Sequence, residues 1–140
     1  MHLTLSFRTC VTQQIELLEA GQPLEAFDTF FAADGIMYAN DEVFARSAEE
    51  GHRKQAPYVG AAKSISGLIV DLAVSETDEI CVFRNKTSFT TADDVTHQID
   101  GLCLQRWHNG QIVEERYYDG ELMEKLISDG ILTNPSMGSR

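Results

Sequence analysis

Two β-rich runs, residues 99–107 and 112–118, flank the connector His108-Asn109-Gly110-Gln111, and this pairing constrains the fold more than any other stretch of the chain. An Asn-Gly step between such runs predicts a tight hairpin, because both residues accept the positive φ of a primed turn. The runs also carry Asp100, Gln105, Arg106, Glu114, Glu115, Arg116, Tyr117 and Tyr118. A sheet that only buried a core would not need so many polar groups. Side chains alternate across a strand, so one face is core and the other is expected to hold a site or an interface.

The hydrophobic period changes along the chain. From about residue 4 to 20, Phe7, Val11, Ile15, Leu17 and Leu18 recur at near-helical spacing. Gly21 supplies a stop, and Pro23 can open a second helix over 24–32 without wasting a donor. A short strand over 36–39 and a brief run, Val43-Phe44, follow. Ser47-Ala48-Glu49-Glu50 is a capping box whose helix should be disturbed at Pro57. From Ser64 the pattern becomes that of strands, over 65–74, 80–91, 96–107 and 112–118. Residues 121–128 suit a short terminal helix stopped by Gly130, and the polar tail 133–140 is expected to be loose. One domain, residues 1–132, therefore holds helices first and a strand meander second. Such segregation predicts an α+β fold with helices covering one face of a curved antiparallel sheet.

Charge and composition bound the function. The chain has 22 acidic against 11 basic residues, a net charge of −11. That field repels phosphate backbones and anionic lipid, and His52-Arg53-Lys54 is too short a basic run to reverse it. Neither nucleic acid nor membrane is an expected partner. No apolar run approaches the roughly 18 residues of a membrane span. The N-terminus lacks the features of a secretory signal. Cys10, Cys81 and Cys103 lie at no redox or metal spacing and read as small buried hydrophobes in a reducing, cytoplasmic setting. No His, Cys, Asp or Glu spacing suits a metal and no glycine-rich loop suits a phosphate, so no cofactor is expected.

The order helix, helix, short strand, helix, four-strand meander resembles the nuclear-transport-factor-2-like superfamily, also called SnoaL-like or ketosteroid-isomerase-like. The matching residues are Glu19-Ala20-Gly21 closing the first helix and the run from Phe30 to Gly35 closing the second. The run from Arg106 to Glu115 at the last hairpin, and Tyr117-Tyr118-Asp119 after it, complete the match. The resemblance covers about residues 5 to 125. It implies a cone-shaped barrel, four long strands plus one short, covered by three N-terminal helices. It also implies a pocket between helices and sheet, and a homodimer formed through the outer sheet face. Such a scaffold hosts isomerases, cyclases, dehydratases, hydrolases and non-enzymes, so it does not supply the chemistry.

Strand alternation then selects candidates. In 80–91 one face carries Cys81, Phe83, Asn85, Thr87 and Phe89, apolar walls with two neutral hydrogen-bonding groups, as a ligand cavity needs. The other face, with Ile80, Val82, Arg84 and Lys86, suits a dimer contact or solvent. If Asp93-Asp94 is a two-residue turn, Thr87 faces Asp100 and Phe83 faces Leu104. That register, the expected one, puts Asp100, Leu102 and Leu104 in the pocket and Trp107 outside it. A loop one residue longer puts Gly101, Cys103, Gln105 and Trp107 there instead.

Asp100 is the sharpest candidate, because a carboxyl in an apolar cone is raised in pKa and can act as an acid. An aspartate stands at the same place in the ketosteroid isomerase pattern. The positions matching that family's tyrosine and general base are Gln14 and about Ala39, so steroid isomerisation is not implied. The cyclase-type acid on the last strand best matches Tyr117, which leaves Glu115 as the nearest carboxylate. His97, at the start of a strand, could titrate near neutrality. The catalytic candidates are thus Asp100, Glu115 and His97, and the ligand-contacting ones Tyr38, Phe83, Asn85, Thr87, Leu102 and Tyr117. The expected function is binding of a small, mostly apolar organic molecule. The alternatives are an isomerase, dehydratase or hydrolase built on Asp100, and a protein-interaction module.

Overall fold

The computed structural model describes residues 5–139. Helix α1 (Phe7–Glu19) starts at Ser6, whose side chain accepts from the Thr9 amide. Helix α2 (Pro23–Phe30) follows one turn later, with Pro23 in its first turn. Gly21 sits between them at φ +77, and a Cβ there would lie 2.4 Å from the Ile65 carbonyl oxygen. Only glycine permits both the left-handed turn and that close approach.

Strand β1 (Phe31–Ala39) turns through Asn40 and Asp41, both at positive φ, into β2 (Glu42–Ala45). Helix α3 (Ala48–Ala61) is capped by Ser47, which accepts from the Glu50 amide, while Glu50 reaches back to the Arg46 amide. Helix α3 runs through Pro57, which removes one intrahelical donor without ending the helix. Strands β3 (Ala62–Ser66) and β4 (Ile69–Ser75) replace the single strand expected over 65–74. The break falls at Gly67, where a Cβ would lie 2.0 Å from the Leu18 carbonyl oxygen. Strands β5 (Ile80–Thr91), β6 (Thr96–His108) and β7 (Gln111–Tyr118) complete the meander, followed by α4 (Gly120–Ser128).

The sheet order is β2-β1-β7-β6-β5-β3, with β4 also on β5. All pairs are antiparallel except β1 with β7. The sheet is curled and not closed into a barrel. The β6–β7 turn is the primed hairpin that Asn-Gly predicts: Asn109 at φ 52, Gly110 at φ 76, His108 opposite Gln111.

Two cores result. On the concave face, Val11, Phe27 and Phe30 of the helices pack with Phe31 of β1 on Cys81, Phe83, Trp107 and Ile112. Trp107 is the hub, with ring centroids 5.6 Å from Phe30 and 5.9 Å from Phe7. On the convex face, Ile80, Val82, Leu102, Leu104 and Tyr118 pack under Met123 of α4 and Ile131. Ile80 and Val82, expected to form a dimer surface, are 1% and 0% exposed within this one chain. The tail differs from expectation too. Residues Pro135–Ser139 form a 3-10 helix against β4 and β5, with Pro135 buried and Ser136 bonded to Asp78.

Candidate functional site

A cavity of about 500 Å³ lies between the concave face of the sheet and the three N-terminal helices. Phe27, Phe31, Phe83, Phe89, Ile65 and Ile112 supply much of its wall. Tyr58 of α3 also lines it while 74% exposed, which marks the mouth. None of the lining residues is Lys, Arg or His, and Glu115 is the one carboxyl among them.

The β5–β6 register decides which polar groups enter. Thr91 pairs with Val95 across a three-residue loop: the Asp94 amide donates to Thr91 O at 2.9 Å, and Thr91 N donates to Val95 O at 3.0 Å. Asp94, at φ 64, supplies the left-handed residue that such a loop needs. Asp93 braces it by accepting from the Val95 amide and the Thr91 hydroxyl. The expected two-residue turn is therefore one residue too short. Phe83 faces Cys103 rather than Leu104, and Thr87 faces Ile99 rather than Asp100. Since side chains alternate, this slip moves the whole set to the other face.

Asp100 leaves the cavity as a result. It stands opposite Lys86 on the convex side, and Arg84 grips it with two bonds, Nε to Oδ1 at 2.8 Å and Nη2 to Oδ2 at 2.9 Å. Those bonds hold its carboxyl below the usual value, the reverse of a buried acid. Leu102, expected as a ligand contact, is fully buried in the convex core. His97 does not line the cavity. It is exposed and stacks on Phe89 with centroids 5.0 Å apart. Trp107, expected outside, is in the concave core.

In place of Asp100 the cavity floor holds Glu115, opposite Gln105 on β6. Gln105 and Gln14 of α1 exchange two amide hydrogen bonds, of 2.9 Å and 2.7 Å. Gln105 Nε2 also donates to Glu115 Oε1 at 2.7 Å. Gln105 Oε1 accepts from Trp107 Nε1 at 3.2 Å and Cys81 Sγ at 3.3 Å. Burial raises the Glu115 carboxyl above its ordinary value, and the Gln105 bond opposes only part of that. The sequence reading named Glu115 and missed Gln14. The available signal was a lone amide on the buried stripe of α1, between Val11 and Leu18, which demanded a polar partner on the sheet.

Around this floor, Thr87 donates to the Asn85 side-chain oxygen, and both line the cavity. Tyr117 lies over Gly101, where a Cβ would come within 2.1 Å of its ring. Burial pushes the Tyr117 phenol up to about 12. Tyr38 borders the cavity, and its ring carries the Arg116 guanidinium 4.0 Å from its centroid. Phe83 and Met37 add apolar wall. Among the described residues no group of His, Cys, Asp or Glu is arranged to hold a metal ion.

Helices packed on one face of a curled sheet are an arrangement found in solved structures. A candidate SnoaL-like polyketide cyclase from Mesorhizobium loti superposes with a TM-score of 0.67 at 23% identity, over 82% of this chain and 100% of that one. The chain has the SnoaL-like, NTF2-like fold. An NTF2-like protein of unknown function from Exiguobacterium sp. 255-15 shares this SnoaL-like fold with a TM-score of 0.63 at 18% identity, over 80% and 98% of the two chains. PrhC from Penicillium brasilianum gives 0.67 at 10% identity over 94% of each. No protein-family model matches the sequence, and no curated protein matches it. No helix among the described residues is long and apolar enough to cross a membrane.

Proposed function

We propose that this chain binds a small, neutral, mostly apolar organic molecule in the cavity, with one polar group of that molecule against Glu115. The observation that carries this reading is a cavity of about 500 Å³ with aromatic and aliphatic walls, a single carboxyl and no cation. Its size is that of ordinary small-molecule sites, roughly 300–1,000 Å³. An anionic ligand would lose its hydration and meet a carboxyl and no cation on the wall, an unfavourable exchange.

Thermal shift against neutral, anionic and cationic apolar compounds tests the proposal. Neutral compounds near a hundredfold over Kd should raise Tm by about 5–10 °C. The double variant Ala39→Phe, Thr87→Phe, which narrows the cavity, should shrink that shift. Equal shifts in parent and variant, or none with any neutral compound, would overturn it.

Glu115 beside Tyr117 favours a second reading, an acid–base enzyme of the same fold. A neighbour described as a candidate cyclase lends it support. Turnover of a neutral substrate abolished in Glu115→Gln would establish it, whereas turnover unchanged in that variant would remove Glu115 from the chemistry.

Self-association through the convex face is proposed with a different surface from the one expected. Ile80 and Val82 are covered, so the contact would use the Arg84, Arg106 and Arg116 ladder and its carboxylates. A dimer mass by light scattering at micromolar concentration supports this, and a monomer mass rejects it.

A further inference from the structure

The donor and acceptor roles at the cavity floor are forced, one after another, by an indole. Trp107 Nε1–H can only donate. The Gln105 atom that it meets at 3.2 Å is therefore oxygen, and the Gln105 amide has one allowed orientation. Its Nε2 must then point the other way, donating to Gln14 Oε1 and to Glu115 Oε1, both at 2.7 Å. In a neutral carboxylic acid the carbonyl oxygen is the stronger acceptor, which assigns that role to Oε1. The proton of neutral Glu115 consequently sits on Oε2. That oxygen takes no hydrogen bond among the described residues, yet no buried side-chain polar atom among them is left unpartnered. Oε2 therefore has open surface, and the surface that Glu115 lines is the cavity.

We propose that Trp107 and Gln105 are positioning residues that present the Glu115 hydroxyl, on Oε2, to the cavity as a hydrogen-bond donor for the carbonyl oxygen of a neutral ligand. This rests on the small-molecule reading above and adds to it the polar group that the ligand carries. Burial favours the neutral acid. The groups facing Glu115 do not disturb this. Cys81 on β5, Cys103 on β6 and Tyr117 on β7 are all raised by burial and stay uncharged where a glutamic acid titrates. Tyr38 of β1 and Tyr58 of α3 are the other titratable groups on the cavity wall, and α1 and α2 place no charged side chain there.

The probe is prodan, a neutral naphthyl ketone whose emission shifts to the red when its carbonyl accepts a hydrogen bond. Binding is titrated by fluorescence from below the ordinary glutamate value to above neutrality, so that a raised midpoint falls inside the range. Affinity should rise as pH falls through the Glu115 pKa, with red-shifted emission. Glu115→Gln keeps Oε1 as acceptor and puts an N–H at the Oε2 position. It should bind prodan at all pH values with no pH dependence. Glu115→Leu should weaken binding about tenfold, the worth of one hydrogen bond. Trp107→Phe lets the Gln105 amide turn over, so the red shift should fade and the pH midpoint move.

Prodan affinity that ignores pH and is equal in parent and Glu115→Leu overturns the inference. So does failure of prodan alone while neutral hydrocarbons still raise Tm, which spares the small-molecule reading. Failure of every neutral compound overturns both.

Discussion

Asp100 and Glu115 are carboxyls on neighbouring strands that face opposite sides of one sheet, and their surroundings drive them in opposite directions. Arg84 lowers Asp100, so the stability it contributes is present above the ordinary carboxyl range and lost as pH falls through its depressed pKa. Burial raises Glu115, so the folded state holds the proton more tightly. Its favourable contribution is complete below the ordinary glutamate value and lost as pH rises through the raised pKa. Glu115→Gln should therefore have a higher Tm than the parent at neutral pH, with the gap closing on acidification, as differential scanning calorimetry across pH would show. Asp100→Asn breaks a pair that is partly open to water. It should cost less than about 1 kcal/mol in urea unfolding and leave prodan affinity unchanged. A large loss of affinity would restore Asp100 to the site. Gly101 is held by Tyr117, since a Cβ would meet its ring at 2.1 Å. Gly101→Ala should cost about 1–3 kcal/mol by overpacking, measured by denaturant midpoint.

Turns decided how much of each element could be read in advance. Asn109-Gly110 was legible because few residue pairs accept two consecutive positive φ values. Asn109→Ala should cost about 1–2 kcal/mol in urea unfolding, while Asn109→Gly should stay near the parent. The β5–β6 loop was not legible, because Asp93-Asp94 suits a two-residue turn as well as a three-residue loop with Asp94 at positive φ. A single residue there exchanges Asp100 and Leu102 for Gly101, Cys103 and Gln105 on the cavity side. Alternation within β5 needed no partner strand, so Phe83, Asn85 and Thr87 could be placed on the cavity wall from sequence alone. Pro57 and Gly67 marked irregularities whose outcome depends on tertiary contacts: a helix that continues, and a strand that breaks against Leu18.

At the scale of the molecule, the sheet is a partition between two cores. Helices α1 to α3 cover the concave side incompletely, leaving the cavity, while α4 and the segment after it cover the apolar part of the convex side. Sequence order revealed the first layer and the helix of the second, but the apolar stripe of α4 does not say which side of the sheet receives it. Ile131, fully buried on Ile80, Val82 and Leu102, anchors that second layer. Ile131→Ala should cost about 2–4 kcal/mol by denaturant unfolding. The central claim is that the partition holds a largely apolar cavity whose floor carries a carboxyl raised by burial. The most direct measurement is a carboxyl-carbon NMR titration of Glu115, assigned through the signal missing in Glu115→Gln, with and without a neutral ketone. The account predicts a midpoint above that of an ordinary glutamate, moving higher when the ketone binds; an ordinary midpoint that the ketone does not move would contradict it.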